Sequence, residues 1–338
     1  MAGTLSGPRQ GVRALVGRRR WARPVRPHSF GAPLAELSDR AVRTESLLRA
    51  FYAFFPFWFA VRLEALLPLL EPRCPDYAWP VAWMHLTGPS AAPVVLGFGL
   101  AAAVLAAALP ELRATRVALA VGLLEVLALK YSYGKVHHLM HGWLYAALIF
   151  GALLPSAAFR SREASRKCKA TSVLVLHAAT AMLALTYSLA GLGKLFGTAY
   201  QLGLGQITPL HPSALARHVA DRLLQTYPDS ALGPFMIEHG ALLWPLMLAT
   251  LYLQLVAFPV TFRPRLLRPW GFGLVGFHLV TGLSMTIDFS PNVLLVGLLF
   301  LASPFAPRRT ELVPALLDLP ILGDLARWVA RRSGGRTA

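Results

Sequence analysis

The sequence predicts an all-α; polytopic membrane helical bundle of about eight transmembrane helices, with both termini in the cytoplasm. Three observations predict it. Of 338 residues, 55% are hydrophobic and only 14% are charged, against about 25% charged in an ordinary soluble domain. The apolar residues fall in long runs that match a hydrocarbon core of about 30 Å. The Lys and Arg residues collect between alternate runs, as cytoplasmic loops do. In lipid every backbone N–H and C=O needs an internal partner, so such runs are helices. A β-barrel would need alternating segments of about ten residues, and the sequence has no such series.

The elements follow in order. Residues 1–46 are polar, with Pro8, Pro24, Pro27 and Pro33 and a stretch over 11–30 that is rich in Arg and free of acids. They read as a disordered cytoplasmic tail lying near anionic lipid. A signal peptide would need an apolar segment and a cleavage site close behind the basic one, and neither follows. The membrane domain is expected over 47–305. Its eight apolar spans run approximately over 47–70, 91–110, 117–133, 141–158, 171–192, 241–262, 270–287 and 291–305. Residues 306–338 form a basic tail. Within it 310–332 reads as a short amphipathic helix on the cytoplasmic surface, with Leu312, Leu316, Leu319 and Leu325 beside Arg327, Arg331 and Arg332.

Charge assigns the sides. With Arg49 counted in the first group, 26 of the 33 Lys and Arg precede span 1, lie between spans 2 and 3, 4 and 5, and 6 and 7, or follow span 8. An odd number of spans would scramble that alternation, so the pattern favours an even number, both termini inside, and an inner (cytoplasmic) membrane location. The outer loops are then 71–90, 134–140, 193–240 and 288–290. The long one contains Pro209, Pro212, Pro228 and Pro234 and a polar, helix-like stretch from Ser213 to Gln225. A connection of that length is commonly functional or a lid. Cys74 and Cys168 fall on opposite sides, so they are not expected to pair. The net charge of +17 is accounted for by the inside loops. No basic face interleaved with exposed aromatics points to nucleic acid.

Polar groups at membrane depth are costly and therefore informative. The densest cluster runs from Tyr131 through His137, His138 and His141 to Trp143, at the outer boundary between spans 3 and 4. His137 and His141 are one turn apart if helical, which suits a proton relay or a metal; the alternative is interfacial histidines among belt aromatics. The second feature is Tyr187 to Leu195, where Ser188, Ala190, Gly191 and Gly193 allow close helix approach. Lys194 there is either a snorkelling side chain or a partly desolvated amine able to act as a base. The third is His278 in span 7, followed by Asp288 at its outer end. His278 is either a hydrogen-bonded link between helices or a working group. Glu125, Arg62 and Glu64 are further intramembrane charges.

Three pieces in order resemble the horizontally transferred transmembrane (HTTM) domain, the membrane part shared by vitamin K-dependent γ-carboxylase and bacterial proteins. His141-Gly-Trp-Leu-Tyr145-Ala-Ala-Leu is similar to that family's His-x-Tyr-Leu-Tyr-Gly-Leu-Leu helix start. Leu189-Ala-Gly-Leu-Gly193-Lys194-Leu is similar to its Ile-Ala-Gly-Val-Lys-Lys-Leu. Phe277-His278-Leu279, followed by Phe289-Ser290, is similar to its Phe-His-Leu and later Phe-Ser. The likeness covers roughly 45–305. It implies Lys194 as the base that starts oxygenation of a reduced, vitamin K-like quinone, His141 as its helper and His278 lining the site. His137, His138, Tyr145, Tyr187 and Tyr200 are the expected contacts to that cofactor, and no metal is implied. Gly193 stands where the family has a first Lys. Tyr200 stands one residue out of step with the family's Trp. The family's large lumenal domain has no counterpart in this sequence, which moves the expectation from a peptide glutamate to a small lipid-soluble quinone. Three classes stay open: a carboxylase-like or quinone-linked enzyme, a membrane scaffold or maturation partner, and a small-solute or proton transporter using Glu125, His278 and Asp288.

Overall fold

The structure is a computed structural model that describes residues 34–71, 75–134, 138–206, 208, 210–226, 229–307, 309 and 311–334. Every regular element among them is helical. The longer helices are α1 (Leu34–Val61), α2 (Ala92–Ala108), α3 (Arg113–Ser132), α4 (His141–Leu153), α5 (Arg166–Gly203), α6 (Ala214–Thr226), α7 (Gly233–Glu238), α8 (Trp244–Leu255), α9 (Leu267–Met285), α10 (Ser290–Val296), α11 (Leu312–Leu317) and α12 (Leu322–Gly334). Each of the eight apolar runs is occupied by one of these helices.

By length and composition, two helices are able to cross a membrane: Pro89–Ala108 and Arg166–Gly203. A third qualifies if α1 and the segment Glu64–Leu70, bent 71° from it, count as one span. Eight spans were expected. The other apolar runs fold as shorter helices, His138–Leu153, Trp244–Leu255 and Ser290–Leu301, or carry diluting polar groups. Thus α3 includes Arg113, Arg116, Glu125 and Lys130. The bend after α1 falls at Arg62, whose guanidinium pairs with Asp288. This answers the question of a partner for Arg62, and Asp288 therefore meets α1's end rather than the long loop.

Two close helix contacts set the frame. A Cβ on Gly122 of α3 would lie 3.0 Å from the Cα of Gly99 on α2, so these helices meet almost backbone to backbone. Such approach is open only to the smallest residues. Around it lies an aromatic core. The Trp143 indole of α4 stacks on Phe54 at 3.7 Å and on Phe51 at 5.2 Å, and its N–H donates to the Pro291 carbonyl at 2.8 Å. A buried Trp needs a partner for that N–H. The bond ties α4 to the start of α10.

Three boundaries differ from expectation. The tail expected to be disordered over 1–46 is already helical from Leu34, where α1 begins. Span 5 was expected to end at 192, but α5 continues to Gly203, so Lys194 is helical rather than at a loop's start. The glycines at 193, 197 and 203 weaken a helix by only about 1 kcal/mol each relative to Ala. Thr198 in this stretch is buried, and its hydroxyl donates to the Lys194 carbonyl. The single amphipathic helix expected over 310–332 is two helices, α11 and α12. Pro320 offers no N–H, and Ile321 takes φ of 65°, which turns the chain between them. The helix-like stretch in the long loop coincides with α6.

Arg116 is a buried cation with no exposed surface. Its guanidinium donates to the carbonyls of Pro110 at 2.7 Å, Glu111 at 3.1 Å and Leu154 at 2.7 Å. It closes the turn before α3 and caps the end of α4. Arg116→Met strands three carbonyls, and a buried unpaired acceptor costs about 1–3 kcal/mol. The variant should therefore lose about 3 kcal/mol of stability, read as a lower unfolding midpoint in detergent. An unchanged midpoint would show that the turn holds without it.

Candidate functional site

The site is built on one face of α5. Tyr187, Gly191 and Lys194 recur at the spacing of one helix turn and line the same stripe. Gly191 meets α8. A Cβ there would lie 2.8 Å from the Leu255 amide nitrogen and 3.1 Å from the Gln254 Cβ, so only glycine fits. That contact delivers Gln254, which is buried, to the next turn of α5, where its Oε1 accepts from Lys194 Nζ at 2.5 Å. Thr198 donates back to the Lys194 carbonyl at 2.8 Å. Ser188 accepts from the Phe258 N–H at 2.9 Å, which fixes the far end of the same contact.

Beside Lys194 lies a cavity of about 630 Å³ between α5, α8, α9 and the α6–α7 cap. Its lining is apolar over most of its extent, from Leu215, Met236, Met247, Phe277, Val280 and Phe289. The polar groups are few: Lys194, Thr198, His218, Gln254 and the hydroxyl residues of α8 and α9. That pattern, an apolar chamber with a few placed polar groups, is the general form of a small-molecule site.

His218 is on α6, outside the apolar runs. Burial is the main influence holding its imidazole below the ordinary histidine range. The Lys194 charge acts in the same direction, and Asp221 opposes them. Burial and the Lys194 charge both favour the uncharged imidazole, the form that can accept a proton.

The structure separates the expected site residues into three groups. Lys194 lines the cavity. His278 and Tyr187 are one layer beneath it, both buried, with the Tyr187 hydroxyl 2.6 Å from His278 Nε2. The His278 ring also lies 4.7 Å from Phe289 and 5.0 Å from Phe277, both of which line the cavity. His141 stands apart at the start of α4, where its Nδ1 is 3.0 Å from the His138 Nδ1 and its ring is flanked by Tyr131 and Tyr145. It does not line the Lys194 cavity. His137 lies outside the described residues, and the ring that meets His141 is that of His138. Tyr200 is exposed and also lies off the cavity. No cluster of three metal-ligating side chains occurs among the described residues.

The three groups suggested for transport each have a partner of their own. Glu125 accepts a hydrogen bond from Trp83, Asp288 pairs with Arg62, and His278 pairs with Tyr187.

Sequence reasoning passed over two cavity residues. Gln254 left a signal, since it is a lone amide within an otherwise apolar run and such groups hydrogen-bond across helices. His218 left none, because a histidine in a polar loop helix is ordinary. No protein-family model matches the chain, no curated protein is similar to it, and no solved structure matches it.

Overpacking a tight contact typically costs 1–3 kcal/mol. Gly191→Leu should lower stability by about that amount and part Lys194 from Gln254, seen as a lower unfolding midpoint together with faster amine modification of Lys194. Wild-type values for both would remove the contact from the account. Tyr187→Phe leaves the buried His278 Nε2 unpaired and should cost about 1–3 kcal/mol, measured in the same way.

Proposed function

We propose that the chain is a multi-pass inner-membrane protein of about eight spans, and that its cavity holds a lipid-soluble ligand of the reduced-quinone class. Lys194 is then the base that removes a proton from a ring hydroxyl. The single observation that carries this reading is an amine fixed by Gln254 in the wall of a mainly apolar chamber. A ring of one or two fused cycles fits a volume of about 630 Å³, within the range of ordinary ligand pockets. Phe277 and Phe289 offer faces for stacking, and the hydroxyl of the ligand would be the group that Lys194 meets.

Three further facts support the reading. The Lys and Arg residues collect between alternate apolar runs, the pattern expected of a bundle with both termini inside. Each apolar run is helical, and the short helices gain length from their 3₁₀ and π extensions, such as Gly297–Leu301 after α10. The three sequence pieces resemble the HTTM domain, in which the Lys of the corresponding motif is regarded as the base in vitamin K oxygenation. In this chain Lys194 occupies that position.

Gln254 does the positioning. Its carbonyl oxygen accepts from Nζ and directs the amine's remaining valences into the chamber. Removal of a hydroxyl proton needs the amine within hydrogen-bond reach of that proton. Apolar walls strengthen the pairing between the resulting oxyanion and the ammonium.

The test is to purify the full chain in mild detergent and quantify co-purifying quinone by mass spectrometry. Wild type should carry quinone. Lys194→Gln should retain about 10- to 100-fold less, the equivalent of one charge-assisted hydrogen bond of about 1.5–3 kcal/mol. Absence of quinone from wild type, even after exposure to excess menaquinone, would refute the ligand assignment.

A further inference from the structure

The α6–α7 cap closes the cavity from the outer side and is held at both ends. The Trp244 indole N–H donates to the Leu210 carbonyl at 2.8 Å. Ser230 donates to the carbonyls of Leu283 at 3.0 Å and Ser284 at 2.7 Å, and the Leu232 N–H donates to Leu283 at 3.1 Å. Beneath the cap Leu215 and Val219 of α6 pack with Met236 of α7 and Met285 of α9. His218 is one turn from Leu215, at the exposed edge of that inward face. It lines the same cavity as Lys194, yet its side chain keeps solvent-accessible surface.

We propose that His218 is the second proton-transfer group of this cavity, receiving from Lys194 the proton that Lys194 takes from a ligand hydroxyl. The inference rests on the ligand reading above and adds a residue and an exit route to it. The step balances. The ligand O–H bond breaks, its electron pair stays on the oxygen, and the proton forms a fourth bond on Nζ. The ammonium then gives a proton to the free ring nitrogen of His218. The imidazolium releases it to water at the outer surface, and both groups return to their starting state.

On its own helix His218 is flanked by Arg217, Asp221 and, one turn on, Arg222. The charges that shift its titration are Lys194 on α5, which disfavours the imidazolium, and Asp221, which favours it. Of the elements packed around α6, α7 carries Glu238, which is exposed, and α8 carries no charged residue but includes Tyr252, bonded to the Pro320 carbonyl. On α9 the titratable groups are Arg268, a turn from its start, and His278, which is engaged by Tyr187. Two cationic states side by side in a mainly apolar chamber repel, so the pair favours a single proton.

The experiment needs no ligand. In full-length protein carrying ¹³C-labelled histidine, NMR follows the titration of His218 in wild type and in Lys194→Gln. The midpoint should move upward in the variant, because removing the ammonium removes the repulsion that disfavours imidazolium. An unmoved midpoint would overturn the proposal. A second measurement stands if Lys194→Gln misfolds: the rate of reductive methylation of Lys194 against pH, in wild type and His218→Gln. The wild-type profile should show an inflection where His218 titrates, lost in His218→Gln; profiles that coincide would also overturn it. Coupled titrations in a protein that binds no quinone would support the pair and sink the ligand. Bound quinone with uncoupled titrations would do the reverse.

Discussion

At Gly191 the backbones of α5 and α8 touch, and the candidate site depends on that contact. A single methyl group there would strike the Leu255 amide. Because the helices meet so closely, the next inward position of α5 reaches Gln254 and the previous one reaches α9. Tyr187, Gly191 and Lys194 thus meet His278, Leu255 and Gln254 in turn. A bulkier residue at 191 would push α8 outward and leave the Lys194 amine without its acceptor. Van der Waals contact and interhelical hydrogen bonds, rather than hydrophobic exclusion, hold helices together in lipid, and this interface uses both.

The remaining helices give that contact a rigid setting. Trp143 is wedged among Phe51, Phe54 and Phe55, and its N–H reaches Pro291. Asp288, just upstream, pairs with Arg62 and accepts from the Ser290 N–H at 2.9 Å, which caps α10. Phe289 lies between these anchors, with its ring against His278 and facing the cavity. One short stretch, 288–291, therefore connects the bend after α1, the aromatic core and the cavity wall. Arg116, at the start of α3, satisfies backbone carbonyls at the turn before that helix and at the end of α4.

Much of this was legible in sequence and some was not, for identifiable reasons. Each of the eight apolar runs marked a helix, because composition alone announces a long apolar segment. The small residues at 188–193 announced a close approach on α5, and Lys194 stood out as a lone charge beside it. The sequence could not say that α8 is the helix approached, since pairing depends on three-dimensional placement. Gln254 was therefore passed over, as was His218, whose importance comes from the cap folding inward. The end of α5 was placed too early: glycines at 193 and 197 resemble a break, yet the helix runs on to Gly203. The resemblance implied His141 as the helper of Lys194. The fold instead gives it His138, Tyr131 and Tyr145 as neighbours.

The central claim is that an apolar ring ligand sits against Lys194 in the chamber under the α6–α7 cap. A photo-reactive naphthoquinone carrying a diazirine, activated with the protein in its native membrane, tests it directly. Peptide mapping should place the adducts on α5, α8 and α9, at residues such as Thr198, Met247 and Phe277 that line the chamber, and excess menaquinone should compete them away. Adducts confined to the outer surfaces of α2 and α3, or insensitive to competition, would contradict the account.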